Sequence, residues 1–225
     1  MDNSEKIKVV LIGESGTGKT SIIQRFAYKL FDPNCISSIS AQFINQKIVY
    51  EEINKTLQFE IWDTAGQEKY RSMAKLFYKD AKIILFVYDI TSRSSFEGIK
   101  NYWVSQIKQE CDQNSLLGLV ANKYDLYNSQ QVSKEEGMEL ANEIGAIFQY
   151  TSAKSGEGIN SMFKNLGRKY LDPKYDYQEA DKIAQENFRK KKEEEEKRKK
   201  ERNKRRGAKL DIENNNKTKK GGCCG

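Results

Sequence analysis

The sequence contains no histidine. That removes the commonest physiological-pH base, a frequent zinc ligand and any Ser–His or Cys–His nucleophile pair. The four cysteines, Cys35, Cys111, Cys223 and Cys224, form no C-x-x-C pair, so zinc-finger spacing is absent as well. Thiols this sparse point to a reducing, cytosolic compartment. No apolar run approaches the roughly 20 residues needed to cross a bilayer. The first residues, MDNSEKIK, are polar, and the first apolar run, VVLI, is too short for a secretory signal, so neither a span nor a leader is expected.

What is present suits one domain and a tail: 225 residues, 37% of them hydrophobic. The net charge of +7 is unevenly placed. Up to Asp172 there are 21 basic and 21 acidic residues; from Pro173 onward there are 18 and 11. All the excess positive charge therefore lies in the last stretch. Pro173 also disfavours helix at the residue before it. These two signals predict a domain over 1–172 and a charged tail over 173–225.

Within the body, IKVVLI reads as a buried, β-branched strand and SIIQRFAYKL as a helix. QFINQKIVYEE and KTLQFEIW alternate across a short turn and predict a hairpin. After them come a strand in KIILFVYDI, a helix in SFEGIKNYWVSQIKQEC, a strand in LLGLVA, a helix in SKEEGMELANEI, a strand in AIFQY and a helix in EGINSMFKNLGRKYL. Strands alternate with helices except at the hairpin. The expected fold is α/β: an open, mostly parallel six-stranded sheet with one antiparallel edge strand and helices on both faces. Ligands of such sheets bind in loops at the carboxyl ends of the strands.

Four loops at strand ends carry chemistry. Gly13-Glu14-Ser15-Gly16-Thr17-Gly18-Lys19-Thr20 fits G-x-x-x-x-G-K-[ST] between a strand and a helix. There the backbone N–H groups of Ser15, Gly16, Thr17 and Gly18 and the helix start, with Ser21, can face phosphate oxygens. Lys19 would reach the β- and γ-phosphates, and Thr20 would bind Mg²⁺. Asp63-Thr64-Ala65-Gly66-Gln67 follows FEIW: Asp63 can hold Mg²⁺ through water, Gly66 can approach a γ-phosphate, and Gln67 can orient an attacking water. Asn122-Lys123-Tyr124-Asp125 follows LLGLVA. The Asp125 carboxylate can accept from guanine N1–H and the exocyclic amine, a pairing adenine cannot offer, and the Lys123 stem would lie over the ring. In Thr151-Ser152-Ala153-Lys154, the Ala153 N–H can donate to guanine O6. Each loop alone also fits a plainer description: a glycine turn, an ordinary turn, a cap with a solvated lysine. Their joint order at successive strand ends is what points to a guanine nucleotide.

This set resembles the small GTPases of the Ras superfamily and, within it, the Rab family, over about Lys6 to Leu171. The most specific stretch is WDTAGQEKYRSMAKLFYKDAKIILFVYDIT, and ISSISAQF stands where Rab proteins carry their first switch. GES in the phosphate loop and the ISAQF-type switch lean toward the endosomal branch. The resemblance implies a switch in which GTP and Mg²⁺ order two loops, about 31–43 and 63–78, and hydrolysis releases them. It implies Gln67 as the catalytic residue, Ser38 as a further nucleotide and metal ligand, and Ser152 and Lys154 beside the base. It maps an effector-contact cluster to Phe43, Trp62 and Phe77, although burial is an equal alternative for Trp62. Three positions depart from the pattern: Ser38 replaces a threonine, Ser40 a glycine and Phe77 a tyrosine. Ser38 predicts a less firmly ordered first switch, Ser40 a more restricted backbone in that loop, and Phe77, one hydroxyl poorer, a changed choice of partner. No arginine finger is apparent, so intrinsic hydrolysis on the order of 10⁻⁴ to 10⁻³ per second is implied, assisted by an activating protein. Further implied partners are an exchange factor, a GDP-dissociation inhibitor and effectors.

The tail QEADKIAQENFRKKKEEEEKRKKERNKRR has no apolar stripe, but it carries four Glu-before-base pairs at i, i+4, from Glu193–Lys197 to Glu196–Lys200. A solvated, partly helical spacer and full disorder are equally consistent with it. The ending GGCCG resembles the two-cysteine form that Rab proteins geranylgeranylate, here Cys223 and Cys224. Two chains anchor stably where one does not, and the basic clusters would add attraction to an anionic leaflet. The implied location is the cytoplasmic face of an intracellular membrane, in exchange with the cytosol. Two other functions compete: a non-cycling nucleotide-bound scaffold, against which Gln67 argues, and nucleic-acid binding by the tail, against which its scarcity of aromatics argues.

Overall fold

The computed structural model describes residues 4–34, 42–63, 77–112 and 114–177. Its centre is a six-stranded sheet in the order β2-β3-β1-β4-β5-β6. The strands are β1 (Glu5–Ile12), β2 (Gln42–Tyr50), β3 (Lys55–Asp63), β4 (Ile83–Asp89), β5 (Leu116–Asn122) and β6 (Ile147–Tyr150). β1 pairs parallel with β3 and β4, and β5 pairs parallel with β4 and β6. Only β2 runs antiparallel, at the edge, where the predicted hairpin joins it to β3. The expected architecture is thus the observed one. The hairpin corner differs in detail: Glu51–Ile53 form a short 3-10 turn, and Asn54 takes a left-handed backbone that reverses the chain. Glu51 and Glu52 therefore belong to the corner and not to the strand.

Alternation along the strands sends side chains to two cores. On one face Val10, Ile12, Ile84, Phe86 and Tyr88 pack with Phe96, Ile99, Trp103 and Leu140. These last four come from α2 (Arg93–Gly98), a turn of π-helix over Ile99–Trp103, and α4 (Lys134–Ile144), with α3 (Val104–Glu110) continuing the second of these. On the opposite face Phe163 of α5 (Ile159–Leu171) stacks on Phe26 of α1 (Lys19–Tyr28) and meets Phe59 edge-on. Every residue of β4 is buried, which is why it reads as an unbroken apolar run.

Helix ends follow local chemistry. Ser133 and Glu136 form a reciprocal capping box on α4, and Gly145 ends it in the left-handed region. α1 is different: it starts at Gly18, and no described side chain caps it, so its first-turn N–H groups face the preceding loop. A first compact unit runs to Tyr175, whose hydroxyl donates to Asn165 and whose carbonyl accepts from Lys169. The second unit begins at Asp176. The Glu–Lys stretch, read as either a partly helical spacer or full disorder, lies outside the described residues. Among the described residues no helix is long and apolar enough to cross a membrane.

Candidate functional site

The strand register sets the carboxyl ends side by side. Leu11 of β1 is opposite Asp63 of β3, and Asp89 of β4 is opposite Asn122 of β5. The strand ends from which these loops start therefore line one rim of the sheet.

The loop after β1 needs its glycines. Gly13 has φ +145°, and a Cβ there would lie 2.2 Å from the Val87 carbonyl oxygen. At Gly18, φ +91°, a Cβ would lie 2.4 Å from Asn122 Nδ2. Both positions bring backbone against a neighbouring strand or loop more closely than a side chain permits. Ser15 and Gly16 are exposed at the crest, Thr17 is buried, and Ser21 lies in the first turn of α1. Lys19 is only 5% exposed. Its ammonium donates to the carbonyls of Gly13 (3.0 Å) and Glu14 (2.9 Å), which hold it back along the loop. Burial pulls its pKa down to about 8, against the opposing charges of Asp63 and Glu14.

Asp63 is 1% exposed at the end of β3, and the Thr20 hydroxyl donates to its Oδ2 at 2.6 Å. A hydroxyl from the first turn of α1 and a carboxylate from the end of β3 form a small, all-oxygen donor set. That is the chemistry a Mg²⁺ ion accepts while it keeps several of its waters.

Asn122 ties three loops together. Its Nδ2 donates to the Thr17 carbonyl at 2.8 Å, and its Oδ1 accepts from the Thr151 hydroxyl at 3.1 Å. This buried bridge fixes the loop after β1 against the third and fourth loops. Lys123 sits in a left-handed backbone, with its ammonium 2.7 Å from Asp89 Oδ2. The other Asp89 oxygen accepts from the Thr91 N–H and hydroxyl. Asp125 Oδ1 accepts from the Ser152 hydroxyl at 2.6 Å, which joins the third loop to the fourth. Ala153 is buried and Lys154 exposed. A 3-10 turn over Tyr124–Ser129, which sequence periodicity does not announce, carries Asp125.

The predicted aromatic cluster exists. Phe43 and Trp62 have ring centroids 4.9 Å apart, and Trp62 and Phe77 6.2 Å. Phe43 is 45% exposed, whereas Trp62 and Phe77 are half-buried against the core. Trp62 packs partly against the core, and the cluster reaches the surface through Phe43. Ser38, Ser40, Gly66, Gln67, Cys35, Cys223 and Cys224 lie outside the described residues, as do 35–41 and 64–76 of the two expected switch loops.

Two residues that sequence reading passed over touch the site. Asp89 holds Lys123. Its signal was available: a lone carboxylate at the end of an apolar parallel strand. Arg25 holds the fourth loop through backbone carbonyls, and no spacing rule marks it.

A model of the Ras family matches residues 8–172. Over 164 residues the chain is 38% identical to the human Ras-related protein Rab-22A, a span of 73% of this chain and 83% of that one. The mouse protein of the same name is 37% identical over the same length. The rice Ras-related protein Rab5A is 38% identical over 164 residues, 73% of this chain and 79% of its own.

Proposed function

The chain belongs to the Ras family of small GTPases, within it to the Rab proteins, and from that premise we propose that the four-loop rim is its guanine-nucleotide site, working from the cytoplasmic face of an endosomal membrane. As a Rab GTPase it hydrolyses GTP and regulates vesicle traffic. Ras-family GTPases bind GTP and GDP with Mg²⁺. The observation that carries the site assignment is the Asn122 bridge, which brings the loop suited to phosphate and the loops suited to guanine within one hydrogen-bonded unit.

In this reading the amides of Ser15 to Thr20 and the start of α1 wrap the phosphates, and Lys19 supplies the positive charge. Thr20, Asp63 and Ser38 would hold Mg²⁺, which when bound neutralises charge on the β- and γ-phosphate oxygens. Gly66 approaches the γ-phosphate and Gln67 orients the attacking water. Asp125 and Ala153 read the two polar edges of guanine, with Lys123 over the ring and Ser152 and Lys154 closing the pocket. Residues 1–172 form the switch. Residues 173–225 carry it to the membrane through lipidated Cys223 and Cys224. The Phe43–Trp62–Phe77 cluster meets effectors, and an exchange factor, an activating protein and a GDP-dissociation inhibitor complete the cycle.

Single-turnover hydrolysis of GTP bound to the full-length chain tests the switch. The expected rate is on the order of 10⁻⁴ to 10⁻³ per second, falling at least tenfold in Gln67→Leu. Tight binding without turnover in either protein would instead favour a nucleotide-bound scaffold. For the anchor, the double substitution Cys223→Ser, Cys224→Ser is expected to move the protein from the membrane fraction to the soluble fraction of cells. Membrane retention of that variant would refute the lipid assignment.

A further inference from the structure

We propose that Arg25, a residue of the phosphate-loop helix that would touch no nucleotide atom, is the positioning residue for recognition of guanine O6. The proposal rests on reading Ala153 as the O6 donor.

The geometry is specific. Arg25 Nε donates to the Ala153 carbonyl at 2.7 Å, and Nη2 donates to the Lys154 carbonyl at 2.7 Å. Nη1 donates to the Lys29 carbonyl, just past the end of α1, at 2.8 Å. The planar fork thus meets three backbone acceptors from three separate nitrogens, whereas an ammonium would have to serve all three from one point. The Phe31 ring lies 5.9 Å from the guanidinium carbon, where the first switch begins. Gly156 packs on the arginine stem: a Cβ there would stand 3.5 Å from Cδ.

The consequence follows from peptide geometry. In a trans peptide the C=O and the next N–H point in opposite directions. The Ser152 carbonyl accepts from Gly156 N at 2.8 Å, so the Ala153 N–H points away from Gly156. The Ala153 carbonyl is held by Arg25, so the Lys154 N–H points away from α1. The two peptide planes on either side of the Ala153 Cα are therefore fixed, one by the loop itself and one by Arg25. The Ser152 hydroxyl on Asp125 fixes where that loop stands relative to the other guanine reader. Without Arg25 the second plane is free to turn and the backbone just past the donor loses its tie to α1, so the position of the Ala153 donor relative to that helix, though not the tilt of its own peptide plane, is no longer held. Asp125 keeps its own support from Ser152, and Lys19 and Thr20, a full turn or more earlier on α1, keep theirs.

Loss of Arg25 should therefore blunt reading of position 6 of the base and spare reading of position 2. Three diphosphates separate these in the full-length protein: GDP, 6-thioguanosine diphosphate, whose sulfur is a poor acceptor at position 6, and inosine diphosphate, which lacks only the position-2 amine. Affinities come from competition against a fluorescent GDP analogue. In Arg25→Ala the preference for GDP over the thio analogue is expected to fall by roughly tenfold, the worth of one hydrogen bond. The preference for GDP over inosine diphosphate is expected to stay within twofold. Arg25→Lys keeps the charge and most of the stem but offers its donors from one nitrogen in place of the fork; it is expected to show the same selective loss, and it carries the test if Arg25→Ala does not fold. Equal weakening of all three ligands would make Arg25 a general strut and overturn the proposal. Absence of any position-6 preference in the unaltered protein would instead overturn the Ala153 reading on which it rests.

Discussion

Asp125→Asn is expected to lower affinity for GTP by roughly 10⁴-fold and to make xanthosine triphosphate the better ligand. A carboxylate offers acceptors only, and guanine presents two donors side by side, N1–H and the exocyclic amine. An asparagine keeps one acceptor but sets an NH₂ against the guanine amine, donor against donor. In a desolvated pocket that replaces an attraction by an unsatisfied pair, which is why the loss exceeds the worth of one ordinary hydrogen bond. Xanthine carries a carbonyl where guanine carries the amine, so the same NH₂ finds an acceptor. Ser152 makes the exchange clean, because its hydroxyl donates to Asp125 Oδ1 and can donate equally to an amide oxygen, holding the side chain in place. Competition of GTP against xanthosine triphosphate on the full-length variant reads the inversion. Unchanged GTP affinity would show that Asp125 does not read the base, and the guanine assignment would have to move elsewhere on the rim.

The sheet and the four loops were legible because each has a local cause. β1 and β4 are apolar runs bounded by polar residues, β2 and β3 alternate, and each candidate loop sits at the end of such a run. The glycines of the first loop could be read as phosphate-facing, but not for the reason the structure gives at Gly18. There it is the Asn122 side chain, 104 positions away, that leaves no room for a Cβ. Long-range causes of this kind are where the sequence falls silent. Asp89 became a partner of Lys123 only through the register of β4 on β5. Arg25 looked like one more base on an amphipathic helix, since its acceptors are main-chain oxygens 128 and 129 positions away, which any residue type supplies. The turn of π-helix at Ile99–Trp103 interrupts what periodicity presents as one continuous helix, because a single i→i+5 turn hardly disturbs the apolar spacing.

Lys19 yields the second large effect, with a sign that pH can test. Replacement by Met is expected to weaken GDP binding by roughly 10³-fold, because the phosphates would then enter a buried loop stripped of its one ammonium. In the protein's own surroundings burial brings Lys19 down from 10.5 to about 8. A phosphate beside it acts the other way, favouring the charged form and raising the pKa. Between about 8 and the higher value reached beside phosphate, binding must therefore take up a proton. GDP affinity is expected to be flat below about pH 7.5 and to fall as pH rises through 8 and beyond, approaching tenfold per unit. Folding stability has the opposite slope. The unfolded chain holds the Lys19 proton up to about 10.5 while the folded chain releases it near 8, so this residue's contribution to stability rises with pH across that window. Few groups predict opposite slopes for binding and for folding over one pH range. In Lys19→Met both slopes are expected to vanish together. A GDP affinity that stays level from pH 7.5 to 9.5 in the unaltered protein would mean that the phosphates are not held by the Lys19 ammonium.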